Sequence, residues 1–147
     1  MPEVKLGLDA KIYRNTGSYA SPSWSEVSNV KDVTLNLEKG EADVTTRAAN
    51  GWRATKGTLK EMSIEFEMLW LTGDAGFEAV KDAFLNNTTI EFLALDGSIS
   101  TSGNQGPRAE MDVISFSRNE PLEEGITVSV SLKTTQSDNP PSWYEVP

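Results

Sequence analysis

Residues 58–71 carry the longest strictly alternating run in the chain. Side chains of a β-strand point alternately to its two faces, so the apolar residues of this run share one face: Met62, Ile64, Phe66, Met68 and Trp70. The other face is mostly acidic and carries Glu61, Glu65 and Glu67. The run therefore predicts a strand that is buried on one face and solvated on the other.

Shorter alternating runs predict further strands on both sides of this one. A tight reversal is predicted at residues 38–41, where Gly40 is free to adopt a positive φ. The apolar phase switches near Val113 and Ile114, which indicates a β-bulge. The other predicted strands cover residues 5–13, 24–27, 33–37, 42–46, 90–95, 108–118 and 126–133.

One segment, residues 74–86, has helical spacing. Asp74 can cap it, and Phe77, Val80 and Phe84 recur on one side. The sequence thus predicts a mainly β fold, an antiparallel β-sandwich or barrel of about eight strands with one α-helix. Residues 1–135 form a single domain in this interpretation, and residues 136–147 form an extended C-terminal tail.

Composition argues against catalysis. The 147 residues include no cysteine and no histidine, which removes thiolate chemistry, the usual general base and the commonest zinc ligands. We therefore expect no enzyme, no cofactor and no metal. The net charge of −9 disfavours a grip on phosphate backbones, and neither a signal peptide nor a membrane span is expected.

The row of Glu61, Glu65 and Glu67 is the sharpest charged feature. Alternate residues on a strand lie about 7 Å apart, between the carboxylate spacings of retaining and inverting glycosidases. A solvated strand face is the favoured interpretation, and a glycosidase is the alternative. A monomeric carbohydrate-binding β-sandwich is a further alternative, which would require an exposed aromatic platform.

Trp52 stands in a polar loop, between Gly51 and Arg53, where the local pattern provides no core. It either folds back on its own domain or contacts a neighbouring subunit, since Trp and Arg are enriched at interface hot spots. Trp143 and Tyr144, in the proline-rich tail, allow the same two interpretations.

The order of these segments resembles that of the major tail tube proteins of long-tailed (siphophage-type) bacteriophages and related gene-transfer particles. The resemblance rests on GLDAKIYRNTGSY, on the segment from WSEVSNV to MSIEFEM, and on the helix DAGFEAVKDAFLNN. It continues through IEFLAL, a Gly-rich loop, MDVISFS and GITVSVSLKTT. Within it, Asp43-Val44-Thr45 leads into Gly51-Trp52-Arg53, as in that family.

The resemblance implies a structural virion protein that self-assembles into hexameric rings, which stack into the hollow tail tube that delivers viral DNA. Implied partners are further copies of the chain and tape-measure, tail-terminator and baseplate proteins, while DNA passes without specific binding. Assembly in the host bacterial cytoplasm is implied, without a membrane partner. The inner tube of a contractile or secretion-type injection machine is the alternative.

Two sets of residues receive roles under this resemblance. Small, polar or acidic side chains are candidates for lining the lumen: Thr34, Asn36, Glu38, Asp43, Thr45, Thr127, Ser129 and Ser131. Loop and tail residues are candidates for inter-subunit contact: Arg47, Asn50, Gly51, Trp52, Arg53, Trp143 and Tyr144.

Overall fold

Alternating strands make up most of the fold, and all of them pair antiparallel within one sheet. The computed structural model describes residues 2–147, and within that range it has eight strands, one α-helix and one 3₁₀ turn at Arg47–Ala49. The elements are β1 (Lys11–Asn15), β2 (Trp24–Glu26), β3 (Val30–Asp43), β4 (Thr55–Leu69), α1 (Ala75–Asn86), β5 (Thr89–Leu95), β6 (Gln105–Asn119), β7 (Thr127–Thr134) and β8 (Ser142–Glu145). The sheet order is β2-β1-β5-β6-β7-β4-β3, and β8 pairs with β6. The predicted fold class is confirmed.

The main core lies on the apolar face of β4. Met62, Ile64, Phe66 and Met68 are all buried there, as their alternation predicts. The rings of Phe66 and Phe92 lie 6.5 Å apart, although β4 and β5 are separated by two strands in the sheet order. The sheet therefore curls so that its two halves face each other across the core.

The predicted bulge in β6 is present and is needed for the core. Val113 pairs with Leu132, but the next paired residue is Ser115, which lies opposite Ser131. The extra residue, Ile114, changes the phase of the strand. Because of this change, Phe116 packs on the same core as Val113.

The predicted helix is also confirmed. Its N-terminus is capped by Asp74, whose carboxylate accepts a hydrogen bond from the backbone N–H of Phe77 at 3.0 Å. Phe77 and Val80 are buried against the sheet, and Phe84 stacks on Phe116 with ring centroids 6.1 Å apart. The capped helix thus closes the core on the side away from the polar face of β4.

The predicted reversal at residues 38–41 is wrong. β3 continues through this segment to Asp43, and Gly40 lies at a register shift between Lys39 and Glu41. A Cβ on Gly40 would lie 2.6 Å from Oγ1 of Thr58. This glycine therefore permits close approach of two strands at a bulge, and the chain reverses later, in residues 44–54.

The chain ends also differ from the predicted strands. Residues 6–10 form a turn, with the N–H of Asp9 donating to the carbonyl of Leu6, so the first strand begins only at Lys11. Near the C-terminus, β8 pairs with the first residues of β6, and Val146 is buried beside Leu93 and Leu95. β5 therefore contributes side chains to two apolar clusters, as its nearly continuous apolar sequence predicts.

Candidate assembly surfaces

A polar face extends across four neighbouring strands, β3, β4, β7 and β6, on the side of the sheet opposite the core. The strand register places Thr34 beside Glu65, Glu65 beside Ser131, and Ser131 beside Ser115. A second row joins Glu67, Ser129 and Ser117. The polar face carries mainly small hydroxyl side chains and carboxylates, because each of these strands alternates apolar and polar residues.

The charge of the polar face is mainly negative. Glu61, Glu65 and Glu67 lie along β4, and Glu38 pairs opposite Glu61. The Nζ of Lys133 lies 3.8 Å from a carboxylate oxygen of Glu61, and both side chains are more than half exposed. Such an exposed pair contributes little to stability, so the face remains a solvated acidic surface.

The structure brings most of the predicted lumen residues together. Thr34, Asn36, Glu38, Ser129 and Ser131 lie on the polar face, with the amide of Asn36 3.4 Å from the hydroxyl of Ser63. This face also contains the glutamates of β4, for which the sequence left the orientation open.

Three predicted lumen residues do not share this exposed face. Thr127 is only 5% exposed. Asp43 lies at the far end of β3, beyond the register shift at Gly40, where its carboxylate lies 3.7 Å from the guanidinium of Arg53. Thr45 lies in the connecting loop, where its hydroxyl accepts a hydrogen bond from the N–H of Ala54 at 2.9 Å.

The four strands of the polar face have two free edges. Among residues 2–147, β3 pairs only with β4, so the far edge of Val30–Asp43 carries no strand. On the opposite side, β5 pairs with β6 only as far as Asp112, and the last residues of β6 pair only with β7 in the described chain. A free strand edge presents unpaired backbone N–H and C=O groups, which can form hydrogen bonds with a strand of another chain.

The distal half of the β3–β4 hairpin, residues 37–61, projects beyond the core, and we call it the arm. Every residue of the arm is exposed or half-buried, and none of these described residues is fully buried. Large apolar side chains are included, with Leu59 85% and Trp52 76% exposed. The arm therefore gains almost no stability from burial within its own chain.

The tip of the arm is nonetheless well ordered by local hydrogen bonds. A 3₁₀ turn at Arg47–Ala49 ends at Asn50, which adopts a left-handed conformation with φ of 54°, and Gly51 follows at φ of 84°. The N–H of Trp52 donates to the carbonyl of Ala49 at 3.0 Å. These bonds hold the indole outward, so Trp52 does not fold back on the core of its own chain.

Charge at the tip is opposite to that of the whole chain. Residues 44–57 contain Arg47, Arg53 and Lys56 and no acidic residue. Arg53 lies 3.7 Å from Asp43 at the base of the loop, and its side chain is 88% exposed. Hydrogen bonds from the side chain and the backbone of Thr45 hold the pKa of Asp43 below its usual range. A basic, apolar tip thus extends from an acidic body.

The two aromatic residues of the C-terminal segment behave differently from each other. Tyr144 packs near Trp24, with ring centroids 6.4 Å apart, and so belongs to its own chain. Trp143 remains 59% exposed, and its indole N–H donates to the side-chain oxygen of Gln105 at 2.8 Å. Trp143 is therefore available for a further contact, whereas Tyr144 is largely occupied.

A buried ion pair was not predicted from the sequence. Glu91 is only 7% exposed, and its carboxylate accepts hydrogen bonds from Arg108 at 3.0 Å and from Asn15 at 2.8 Å. The guanidinium of Arg108 also lies over the rings of Tyr19 and Trp24. Glu91, the one charged residue inside the apolar strand β5, was the only signal for this site.

The described residues provide little for other chemistry. Within residues 2–147, no three acidic side chains are grouped so that they could hold a metal ion. No helix in that range is long and apolar enough to cross a membrane.

The family model for phage tail tube protein matches residues 11–136. The chain belongs to this family. The match covers every strand of the polar face and the whole arm, and it confirms the resemblance found in the sequence. No curated protein sequence matches the chain.

Solved structures share the fold of this tail tube protein at low sequence identity. The tail of an empty gene transfer agent (GTA) particle, refined with C6 symmetry, matches with a TM-score of 0.74 and 15% identity over 96% of this chain and 99% of the other. The SPP1 tail tube matches with a TM-score of 0.68 and 21% identity over 88% of this chain and 74% of the other. The anti-feeding prophage (AFP) baseplate matches with a TM-score of 0.62 and 7% identity over 99% of both chains.

Proposed function

We propose that copies of this chain form hexameric rings that stack into a hollow tail tube through which viral DNA is delivered. The observation that carries the proposal is the polar face, a four-stranded surface with a free strand edge on each side. If β3 of one subunit pairs with the end of β6 of the next, the four-stranded units join into a closed barrel. A closed ring of subunits pairs both free edges of the polar face.

In this arrangement the polar face lines the lumen. Its carboxylates repel the phosphates of the DNA, and its short hydroxyl side chains leave the bore smooth. The DNA therefore passes without specific binding. Thr34, Asn36, Glu38, Ser129 and Ser131 are the proposed lining residues among the original candidates, and Glu65 and Glu67 join them because they share the same rows.

The arm and the terminal segments bridge stacked rings in this proposal. Trp52, with its neighbours Arg47, Asn50, Gly51 and Arg53, is the main inter-ring contact, because the tip is exposed and preordered. Trp143 is a second, smaller contact. The remaining proposed partners are tape-measure, tail-terminator and baseplate proteins, which close the two ends of the tube, and assembly takes place in the host bacterial cytoplasm. A structural role of this kind requires no catalytic activity.

The similarity to the AFP baseplate supports a second assembly. The AFP baseplate has the same fold, so the chain is alternatively the inner tube of a contractile or secretion-type injection machine. The subunit surfaces have the same roles in both. A sheath gene beside the gene for this chain would favour the alternative, and its absence would favour a non-contractile tail.

Electron microscopy of the concentrated protein in negative stain tests self-assembly. Rings or tubes with a central channel are the expected result. A species that stays monomeric under all assembly conditions would rule the proposal out.

Single-cysteine labelling tests which face lines the lumen, since the natural chain has no cysteine. We expect Ser129→Cys in assembled tubes to react with a small maleimide but not with a maleimide on a large polymer that cannot enter the bore. Thr72→Cys, in the exposed segment before α1, is the matched control and should react with both. Equal reaction of Ser129→Cys with both reagents would place the polar face outside.

A further inference from the structure

Two like-charged pairs of side chains lie side by side where the arm leaves the body. The register of β3 and β4 places Glu38 opposite Glu61 and, at the next position, Lys39 opposite Lys60. All four residues are exposed. The Cβ atoms of directly opposite residues in an antiparallel pair lie only about 4.5–5.5 Å apart, so like charges in these positions destabilise the pairing of the strands. Because side chains alternate between the two faces, one face of the arm carries the glutamate pair and the other carries the lysine pair.

Few opposite charges offset this repulsion. On the polar face, the Nζ of Lys133 lies 3.8 Å from a carboxylate oxygen of Glu61, but Lys133 also stands opposite Asp112 of β6. On the other face, neither Lys39 nor Lys60 takes part in an ion pair within residues 2–147. The base of the arm therefore keeps its register against a net electrostatic repulsion.

The same segment also carries a β-bulge and a glycine on each strand. Two residues of β4, Thr58 and Leu59, stand opposite the single residue Gly40 of β3. A Cβ on Gly57 would lie 2.6 Å from Cδ of Lys39, so the stem of this lysine crosses the glycine. A bulge interrupts the hydrogen bonds between two strands, and glycine is the least restrained residue of the backbone. The strand pair is therefore easiest to bend at this level.

We propose that residues 38–41 and 57–61 form a hinge whose stiffness depends on ionic strength, and that the outer arm, residues 42–56, pivots on it as one unit. The outer arm has hydrogen bonds of its own, including that from the N–H of Val44 to the carbonyl of Ala54 at 2.9 Å. Dissolved ions screen the repulsion within the two like-charged pairs, so salt stiffens the hinge, whereas it weakens ordinary surface ion pairs. The inference concerns the single subunit and holds whether or not tubes form.

Amide hydrogen exchange, measured by nuclear magnetic resonance on dilute monomeric protein, tests the hinge. We would raise sodium chloride from about 0.01 M to about 1 M, which shortens the Debye length from about 30 Å to about 3 Å. Exchange at the hinge residues should slow by about three- to tenfold, because two repulsive cross-strand pairs are relieved. Exchange at residues 64–68, in the body, should change by less than about twofold. The backbone order parameters of residues 44–54 should rise over the same range, because the outer arm pivots less.

A charge exchange that leaves the net charge unchanged gives a second readout. Glu38→Lys and Lys60→Glu together convert both repulsive pairs into attractive ones, and they should slow exchange in the hinge by about tenfold at low salt. The salt effect should then reverse, because the ions now screen an attraction. The matched control combines Glu65→Lys with Lys56→Glu, at two positions that lie opposite uncharged residues. This control should keep the salt dependence of the natural chain.

Exchange in the hinge that slows with salt in the natural chain, and quickens with salt in the exchanged variant, would establish the hinge. Exchange that is independent of salt in the natural chain would overturn it, and so would an exchanged variant that responds to salt as the control does. An outer arm whose order parameters equal those of the body at low salt would show that it does not pivot.

Discussion

The body and the arm of this subunit are built from the same two strands, yet they are stabilised in opposite ways. Along β4, Ile64 and Met68 are completely buried, whereas Leu59, a few residues earlier, is 85% exposed. In the body, the alternation of β4 directs apolar side chains into the core. Along the arm there is no core, so the apolar side chains remain exposed. A strand that leaves its core keeps its hydrogen bonds but loses its apolar burial, so the arm is held by its backbone and turn hydrogen bonds and not by a core.

The largest expected effect tests the body. Phe77→Ala removes a ring that is 1% exposed and packs edge-on against Trp70, with ring centroids 4.9 Å apart. We expect the free energy of unfolding of the monomer to fall by about 3–5 kcal/mol, measured by urea denaturation. The matched aromatic change in the arm, Trp52→Ala, should alter it by less than about 0.5 kcal/mol. Equal losses in both variants would contradict the difference between arm and body.

The second prediction concerns the buried ion pair of the body. Glu91→Ala leaves the guanidinium of Arg108 without its carboxylate partner, and we expect a loss of about 3 kcal/mol in the free energy of unfolding. Glu65→Ala, on the exposed polar face, is the control and should change stability by less than about 0.5 kcal/mol. A loss below about 1 kcal/mol in Glu91→Ala would mean that solvent reaches this pair.

The third prediction moves from folding to assembly. Trp52→Ala should weaken each inter-subunit contact by about 2 kcal/mol, roughly a 30-fold rise in the protein concentration at which tubes appear. Light scattering across a dilution series measures that concentration. Trp143→Ala is the comparison in the C-terminal segment and should have a smaller effect, since this indole already bonds Gln105. Unfolding of the Trp52→Ala monomer would show instead that the indole belongs to a core.

A smaller effect is expected at the start of α1. Asp74→Ala removes the hydrogen bond to the N–H of Phe77 and should destabilise the monomer by about 1 kcal/mol. Asp74→Asn, which keeps an accepting oxygen, should lose only a few tenths of a kcal/mol. Thermal unfolding followed by circular dichroism distinguishes the two variants, and equal melting temperatures would argue against capping.

The smallest effect concerns protonation at the base of the arm tip. Hydrogen bonds from Thr45 lower the pKa of Asp43 in the folded chain below its value in the unfolded chain. The stability that these bonds contribute is present at pH values above the unfolded-state pKa, and it is lost as the pH falls through the folded-state pKa. In a titration followed by nuclear magnetic resonance, Asp43 should titrate below an ordinary aspartate. Thr45→Val should raise its pKa, because the side-chain hydrogen bond is the larger cause of the shift. An unchanged pKa in that variant would assign the shift to another group.

Sequence periodicity predicted the parts of the fold in which burial alone decides the structure. The face from Met62 to Met68 and the bulge at Ile114 follow from the phase of apolar residues, since each strand must keep its apolar side on the core. The reversal predicted at Gly40 was wrong because a glycine among charged residues is typical both of a turn and of a bulge. What distinguishes the two is the contact of Gly40 with Thr58 on the neighbouring strand, and the periodicity of the sequence does not predict contacts between distant residues.

The candidate surfaces could be predicted only in part from the sequence. The polar rows of β3, β4 and β7 could be predicted singly, but their union into one face depends on strand order, which pairs Thr34 with Glu65 and Glu65 with Ser131. The exposed position of Trp52 agrees with the loop pattern. The pairing of Glu91 with Arg108 could not be predicted, because it depends on the register between β5 and β6 and on the loop that carries Tyr19.

A cryo-electron microscopy reconstruction of the assembled protein tests the central claim most directly. The account predicts a hollow tube with six subunits in each ring, Glu65 and Ser131 facing the channel, and the arm of each subunit contacting the next ring. A solid fibre, or a tube whose channel is lined by α1 while the polar face points outward, would contradict it.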